Sequence, residues 1–226
     1  MDTGARVKAL RDSVLFSGLR PDELRELAAI AHAAALDTDE YLFWEGEAAD
    51  MLYVVAQGRV KVYKHSSSGK DFIVAFFESG EVLGEVAVIE KKPYPASAQA
   101  VEPTSVLAFE RHEFVSLLSR RPEVALRTIL VLSGRLRDAQ NRLRDIASER
   151  VEQRIANLLL MLSSKIGPEL PFTRQELADM AGVTTETAIR VLSRLKAKRI
   201  IESARGKTLV VDERKLRLMG EARSPA

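Results

Sequence analysis

Two charged residues four positions apart, Glu186 and Arg190, stand in the run Thr184-Thr185-Glu186-Thr187-Ala188-Ile189-Arg190. On a helix that spacing puts both on one face. An Arg there presents a fork of donors that matches the O6 and N7 of guanine, and a Glu accepts from the N4 amine of cytosine. On spacing alone the pair also reads as an ordinary ion pair of a solvated helix, worth about 0.2–0.5 kcal/mol. Thr173, Arg174, Thr184, Thr187 and Lys207 form a second set, hydroxyls and cations near helix starts, where phosphate oxygens find donors. Arg194, Lys196, Lys198 and Arg199 read as solvated surface. No Ser-His-Asp, Cys-His, P-loop or metal-ligand spacing appears, so the sequence does not read as an enzyme. The absence of cysteine removes disulfides, zinc–thiolate sites and cysteine-ligated iron–sulfur clusters.

The elements that position the first two sets are legible. Thr173-Arg174-Gln175-Glu176 is a capping box opening a helix that continues through Leu177, Ala178 and Met180. Ala181-Gly182-Val183 makes a turn, and Thr184 caps a second helix from Thr185 to about Ala197. Ile189, Val191, Leu192 and Leu195 are expected on its inner side. Short strands at Ile200-Ile201 and Thr208–Val211 flank Arg205-Gly206-Lys207. Helix, turn, helix and β-hairpin predict a winged helix-turn-helix.

Upstream, Ile129, Leu132, Leu136, Ala139, Leu143 and Ile146 recur at alternating intervals of three and four, with charged residues on the other faces. This heptad seam needs a partner, either the strand domain or the same helix of a second chain, and the regular period favours the second, a homodimer. Before it the texture is different. Leu15-Phe16 and a run from Pro21 to about Ala35 read as helix. From Tyr41 to Phe109 short β-branched and aromatic runs alternate with turns such as Gln57-Gly58, Ser66-Ser67-Ser68-Gly69 and Ser79-Gly80. The expected fold class is α+β: an N-terminal antiparallel, jelly-roll-like β-roll over 1–120, a long dimerisation helix over 121–148, a winged helix-turn-helix over 149–220 and a flexible tail over 221–226.

Charge follows the same division. Residues 149–226 hold 15 Lys/Arg against 10 Asp/Glu, whereas residues 1–148 hold 19 against 22. A basic back half points to a polyanionic partner. No apolar run approaches the roughly 18–20 residues of a membrane span, and no signal-peptide pattern opens the chain, so a cytoplasmic protein without a membrane partner is expected.

Two stretches carry a family resemblance. Gly46-Glu47-Ala48-Ala49-Asp50-Met51-Leu52-Tyr53-Val54-Val55-Ala56-Gln57-Gly58-Arg59-Val60, with Gly80-Glu81-Val82-Leu83-Gly84-Glu85, resembles a cyclic-nucleotide-binding β-roll. Phe172–Ala178, Thr184–Leu192 and Gly206–Val211 resemble the DNA-binding end of the Crp/Fnr regulators. The resemblance runs over about residues 13–215. It implies a homodimer that binds a palindromic operator in double-stranded DNA, and contacts RNA polymerase if it activates. It also assigns base reading to Thr185, Glu186, Ile189 and Arg190. Two of these depart from the family's branches: cyclic-AMP-responsive members carry Arg where this chain has Thr185, and Fnr-like members usually carry Ser where it has Ile189. The half-site is then neither standard one.

The implied effector pocket comprises Gly84, Glu85, Ala96, Ser97, Arg135, Ala139 and Gln140. In cyclic-nucleotide members a Gly-Glu pair meets the sugar, an Arg-Ser pair the phosphate, and a Thr-Ser pair on the long helix the purine. Gly84-Glu85 matches the first. Ala96-Ser97, or Pro95-Ala96 without an insertion, lacks the Arg, and Ala139-Gln140 replaces the third pair. A cyclic phosphate without a bidentate cation loses its main contacts, which argues against cyclic AMP. Arg135, Lys91 and Lys92 are the cations that would have to reach in. The Tyr94-Pro95-Ala96-Ser97-Ala98 segment resembles members tied to nitric oxide, some of which bind heme. Heme needs an axial ligand. His32, His65 and His112 are the histidines, with His32, expected on the helix leading into the roll, the foremost candidate, and Met51 or a backbone nitrogen as others.

Overall fold

A computed structural model of the chain describes residues 1–65, 71–148, 151–204 and 206–221, with backbone alone at 65, 71–72, 141–148, 204 and 221. The chain divides into two compact units, Met1–Leu136 and Arg137–Ala226, and the division falls inside one long helix.

The first unit opens with α1 (Thr3–Arg11) and α2 (Pro21–Ile30). It continues through β1 (His32–Leu36), β2 (Tyr41–Phe43), β3 (Met51–Gln57), β4 (Arg59–His65), β5 (Asp71–Glu78) and β6 (Val82–Leu83). After these come α3 (Glu85–Glu90), β7 (Ser97–Ala100), β8 (Thr104–Glu110), α4 (Arg111–Arg120) and the start of α5 (Pro122–Ser148). Two four-stranded antiparallel sheets form, in the orders β1-β8-β3-β6 and β2-β7-β4-β5. Leu52, Val54 and Leu107 of one sheet join Val60, Phe77 and Ala98 of the other in one core with Leu10, Phe16, Leu24 and Phe114 from the helices and their connections. This is the expected roll.

Several boundaries depart from the sequence expectation. The helix expected to reach Ala35 stops at Ile30, where Ala31 turns extended (φ −64°, ψ 131°), and His32–Leu36 pairs with β8 in register His32 to Ala108. Alanines favour helix locally, but the open edge of β8 supplies ladder partners that propensity does not see. Leu15 and Phe16 lie in a hydrogen-bonded turn rather than a helix, both buried in the core. α4 precedes the expected restart at Pro122: Glu110 and Glu113 form a reciprocal capping box there. The turn at 66–70 lies outside the described residues.

The second unit contains α6 (Val151–Ile166), β9 (Glu169–Leu170), α7 (Arg174–Ala181), α8 (Thr185–Ala197), β10 (Ile201–Ala204), β11 (Lys207–Val210) and α9 (Glu213–Glu221). The hairpin β10-β11 takes β9 as a third strand. β9 and α9 were not expected from the sequence. α9 packs along α6 closely enough that a Cβ on Gly220 would strike Asn157. Arg205 and the tail from 222 lie outside the described residues.

Candidate nucleic-acid interface and pocket

Local chemistry fixes the start of α8. Thr173 Oγ1 accepts from the Glu176 backbone N at 3.2 Å, and Glu176 Oε2 accepts from the Thr173 N at 2.7 Å, so the capping box opens α7 in both directions. Gly182 ends α7 in the left-handed region at φ +64°, where a side chain is strained. Thr184 then caps α8, accepting from the Thr187 N at 3.3 Å. The buried stripe of α8 is Ala188, Val191, Leu192 and Leu195. Ile189, expected on that inner side, is half-buried at its flank, because positions 188, 191, 192 and 195 follow the 3.6-residue repeat and 189 is rotated off it.

Glu186 and Arg190 are both exposed on the outer side. The Arg190 guanidinium donates to Thr187 Oγ1 at 3.3 Å, which steadies it at the helix start. Thr185 is half-buried and donates its hydroxyl to Gln175 of α7. Gln175 was not singled out in the sequence; it sits one position inside the α7 capping box, a place that reads as ordinary helix surface.

The phosphate candidates fall into two places. Thr184 and Thr187 share the first turn of α8, their hydroxyls 3.0 Å apart. Thr173, Arg174 and Lys207 line a cleft of ≈ 460 Å³ with Phe172, Ser203, Gly206 and Thr208, between the start of α7 and the β10-β11 hairpin. Lys207 Nζ is engaged by Glu169 at 2.5 Å, with both side chains about half exposed. An anion entering the cleft would meet the N-terminal end of α7 and compete with Glu169 for Lys207. Arg194 pairs with Glu152 of α6, so it serves as a brace rather than an open cation.

In the first unit, Gly84 stands at φ +86° as the N-cap of α3, and a Cβ there would come within 3.2 Å of the Met51 carbonyl and 3.3 Å of the Tyr94 ring. Only glycine meets both demands. Glu85 is 3% exposed. Arg135, arriving from α5, places Nη1 2.5 Å from Glu85 Oε1, donates from Nη2 to the Val82 carbonyl at 2.6 Å, and lies 4.8 Å over the Phe77 ring. Burial pushes the Glu85 carboxyl above its ordinary range, and Arg135 opposes that shift. Ala96 and Ser97 are buried; Ser97 Oγ accepts from the Glu45 N at 3.0 Å. Tyr94 stacks on Phe43, centroids 3.8 Å apart, and donates to the Met51 carbonyl at 2.5 Å. Gly84, Glu85 and Arg135 are therefore together, with Arg135 bound to the acid rather than waiting for an anion. Ala139 and Gln140 are exposed on α5 within the second unit.

His32, expected on a helix, is an exposed residue of β1, because that segment pairs with β8. His112 is exposed on α4, its Nδ1 3.0 Å from Glu110. The side chain of His65 lies outside the described residues. Among the described residues no cluster of three His, Asp or Glu is arranged to hold a metal ion.

The α5 seam is open. Val124 and Thr128 face the core, while Ile129 and Leu136 are each 59% exposed and Leu126 and Leu130 join them outside. Leu132 is half-buried and Ala139 exposed; the side chains of Leu143 and Ile146 lie outside the described residues.

Comparison with known proteins places both halves. Residues 34–121 match the family model "Cyclic nucleotide-binding domain", and residues 153–219 match "Crp-like helix-turn-helix domain". The chain is 31% identical to the Cyclic AMP receptor protein of Thermus thermophilus over 87% of its own length and 92% of that protein. It is 30% identical to the Transcriptional activator protein Anr of Pseudomonas protegens over 82% and 78%. Among solved structures, FixK2 from Bradyrhizobium japonicum superposes with a TM-score of 0.77 at 25% identity, covering 86% of this chain and all of that one.

Proposed function

The chain belongs to the Crp/Fnr family of transcription regulators, and from that premise we propose that it works as a homodimer whose two α8 helices read a palindromic operator in double-stranded DNA. Glu186 and Arg190 are the central readers, with Thr185 and Ile189 beside them. Thr173, Arg174, Thr184, Thr187 and Lys207 hold phosphates. The observation that carries this reading is the first turn of α8: capped by Thr184, anchored by a buried stripe, with an acid and a guanidinium exposed one turn apart. A recognition helix enters the major groove by that end. The exposed apolar row Leu126, Ile129, Leu130 and Leu136 supports pairing of α5 with its copy. Two half-sites then lie about 34–36 Å apart on one face of the duplex. If the regulator activates, RNA polymerase is its second partner.

The effector acts through the roll as a population shift: it favours one setting of the paired α5 helices over another. Cyclic AMP, named for relatives of this chain, is not its effector in this reading. The guanidinium nearest Gly84-Glu85 is Arg135, which is bound by a carboxylate and a carbonyl, and Ala96 or Pro95 stands at the phosphate position. Moving Arg135 to a phosphate would leave Glu85 buried without its cation. Of the histidines whose side chains are described, His32 and His112 are exposed on β1 and α4, and no step is routed through heme.

The test is competition. Full-length protein is mixed with a pool of promoter fragments and a large excess of unrelated duplex. Retention of a few fragments with a common inverted repeat is the expected result; equal displacement of all fragments contradicts the proposal. Calorimetry with cyclic AMP checks the effector: micromolar binding that tightens operator affinity would overturn its exclusion.

A further inference from the structure

We propose that Gln175 sets the base preference of the operator by turning Thr185 into a reader of the thymine methyl group. This rests on the reading of α8 as the recognition helix. Gln175, on α7, accepts the Thr185 hydroxyl proton through Oε1, while its Nε2 donates to Asp179 Oδ1 at 2.8 Å. The Asp179 carboxylate fixes the amide orientation, because a flipped Gln175 would set Oε1 against another acceptor. Oε1 therefore faces Thr185, and Thr185 must be the donor.

The consequence follows from the three substituents on the Thr185 Cβ. The hydroxyl is drawn back onto α7 and its proton is used. With the hydroxyl turned toward Gln175, the methyl group is the substituent this half-buried position is left to offer a base. A free Thr hydroxyl reads bases loosely, since it serves acceptors and donors alike; a Thr methyl is complementary to the C5-methyl of thymine. The Gln175–Asp179 clamp thus narrows position 185 from a tolerant polar contact to an apolar one. Gln175 is a positioning residue here, touching the reader and not the base.

The test compares thymine with deoxyuridine, which differ by that methyl alone. An operator is first selected by the full-length protein from random duplex DNA, then each thymine of the half-site is replaced in turn by deoxyuridine and binding is measured. One position should lose about fourfold per half-site, the worth of one buried methyl. Thr185→Ser keeps the hydroxyl and removes the methyl, so the thymine-to-deoxyuridine ratio there should fall to about one. Thr185→Val keeps a methyl and should retain the ratio. Gln175→Ala releases the hydroxyl and should broaden the preference at the same position while the others stay sharp. If the selected site is sharp but no thymine is sensitive to deoxyuridine, the inference is overturned and the DNA reading stands. A ratio that survives Thr185→Ser belongs to another side chain, such as Ile189, and also overturns it. Selection that yields no preferred sequence defeats the DNA reading and this inference with it.

Discussion

The first turn of α8 carries its functional groups outward, on a helix fixed by its own cap and inner stripe; the pocket at Gly84 carries its acid inward, matched by a cation 50 residues away. The first is assembled from contacts within about a dozen residues, the second from contacts between distant elements. A site built locally tolerates exchange of single reading residues, because the helix stands without them. A site built on a buried ion pair does not, because each member leaves the other uncompensated.

The largest effect expected is on assembly, which both sites depend on. Leu136→Glu places a charge in the exposed apolar row of α5 and should yield monomers in sedimentation, with specific DNA binding lost because a single half-site is weak. A tight Leu136→Glu dimer would break the link between seam and operator.

Next is the pocket. Arg135→Ala leaves Glu85 buried without its cation and should cost about 2–3 kcal/mol of the first unit's stability, somewhat below a fully buried pair because the Arg135 side chain is 33% exposed. The pH dependence has a definite sign. The Glu85 carboxyl is raised in the folded state by burial, so its contribution is full at acid pH and declines as pH rises through the folded value. Removing Arg135 raises it further, so the variant's deficit should be smallest in acid and grow toward neutral pH. Denaturant titration at several pH values measures this; a deficit independent of pH would mean that the ion pair is not its source.

The DNA face should show smaller and separable losses. Arg190→Ala is expected to cost about 1–3 kcal/mol at one base pair of each half-site and to relax the preference there, leaving the fold intact. Lys207→Ala should weaken all sequences alike and lower the salt slope by about one, read from binding against salt concentration. Its loss is tempered because Glu169 already holds the ammonium. An Arg190→Ala defect that is equal for every sequence would reassign that residue to the phosphates.

The same contrast explains what could be read in the chain. The capping box at Thr173, the turn at Gly182 and the cap at Thr184 are local rules, and α7 and α8 stand where those rules set them; the hairpin expected at Ile200-Ile201 and Thr208–Val211 runs instead over Ile201–Ala204 and Lys207–Val210. The short strands of the roll were equally visible from their turns. The strand at His32–Leu36 was not, since its alanines favour helix and only the edge of β8 makes them a strand. From the sequence Arg135 is a cation available to an incoming phosphate; its capture by Glu85 depends on the approach of α5 to α3, which no local pattern encodes. Gln175 escaped notice for the same reason, because its partner lies on the next helix.

In the dimer the exposed turn of α8 should read sequence in duplicate. Selection of random duplex DNA by the full-length protein, repeated with Glu186→Ala and Arg190→Ala, tests it most directly. The expected result is an inverted repeat with half-site centres about 10–10.5 base pairs, or a multiple of that spacing, apart, and loss of preference in each variant at symmetric positions only. A selected site without two-fold symmetry, or one unchanged by either substitution, would contradict it.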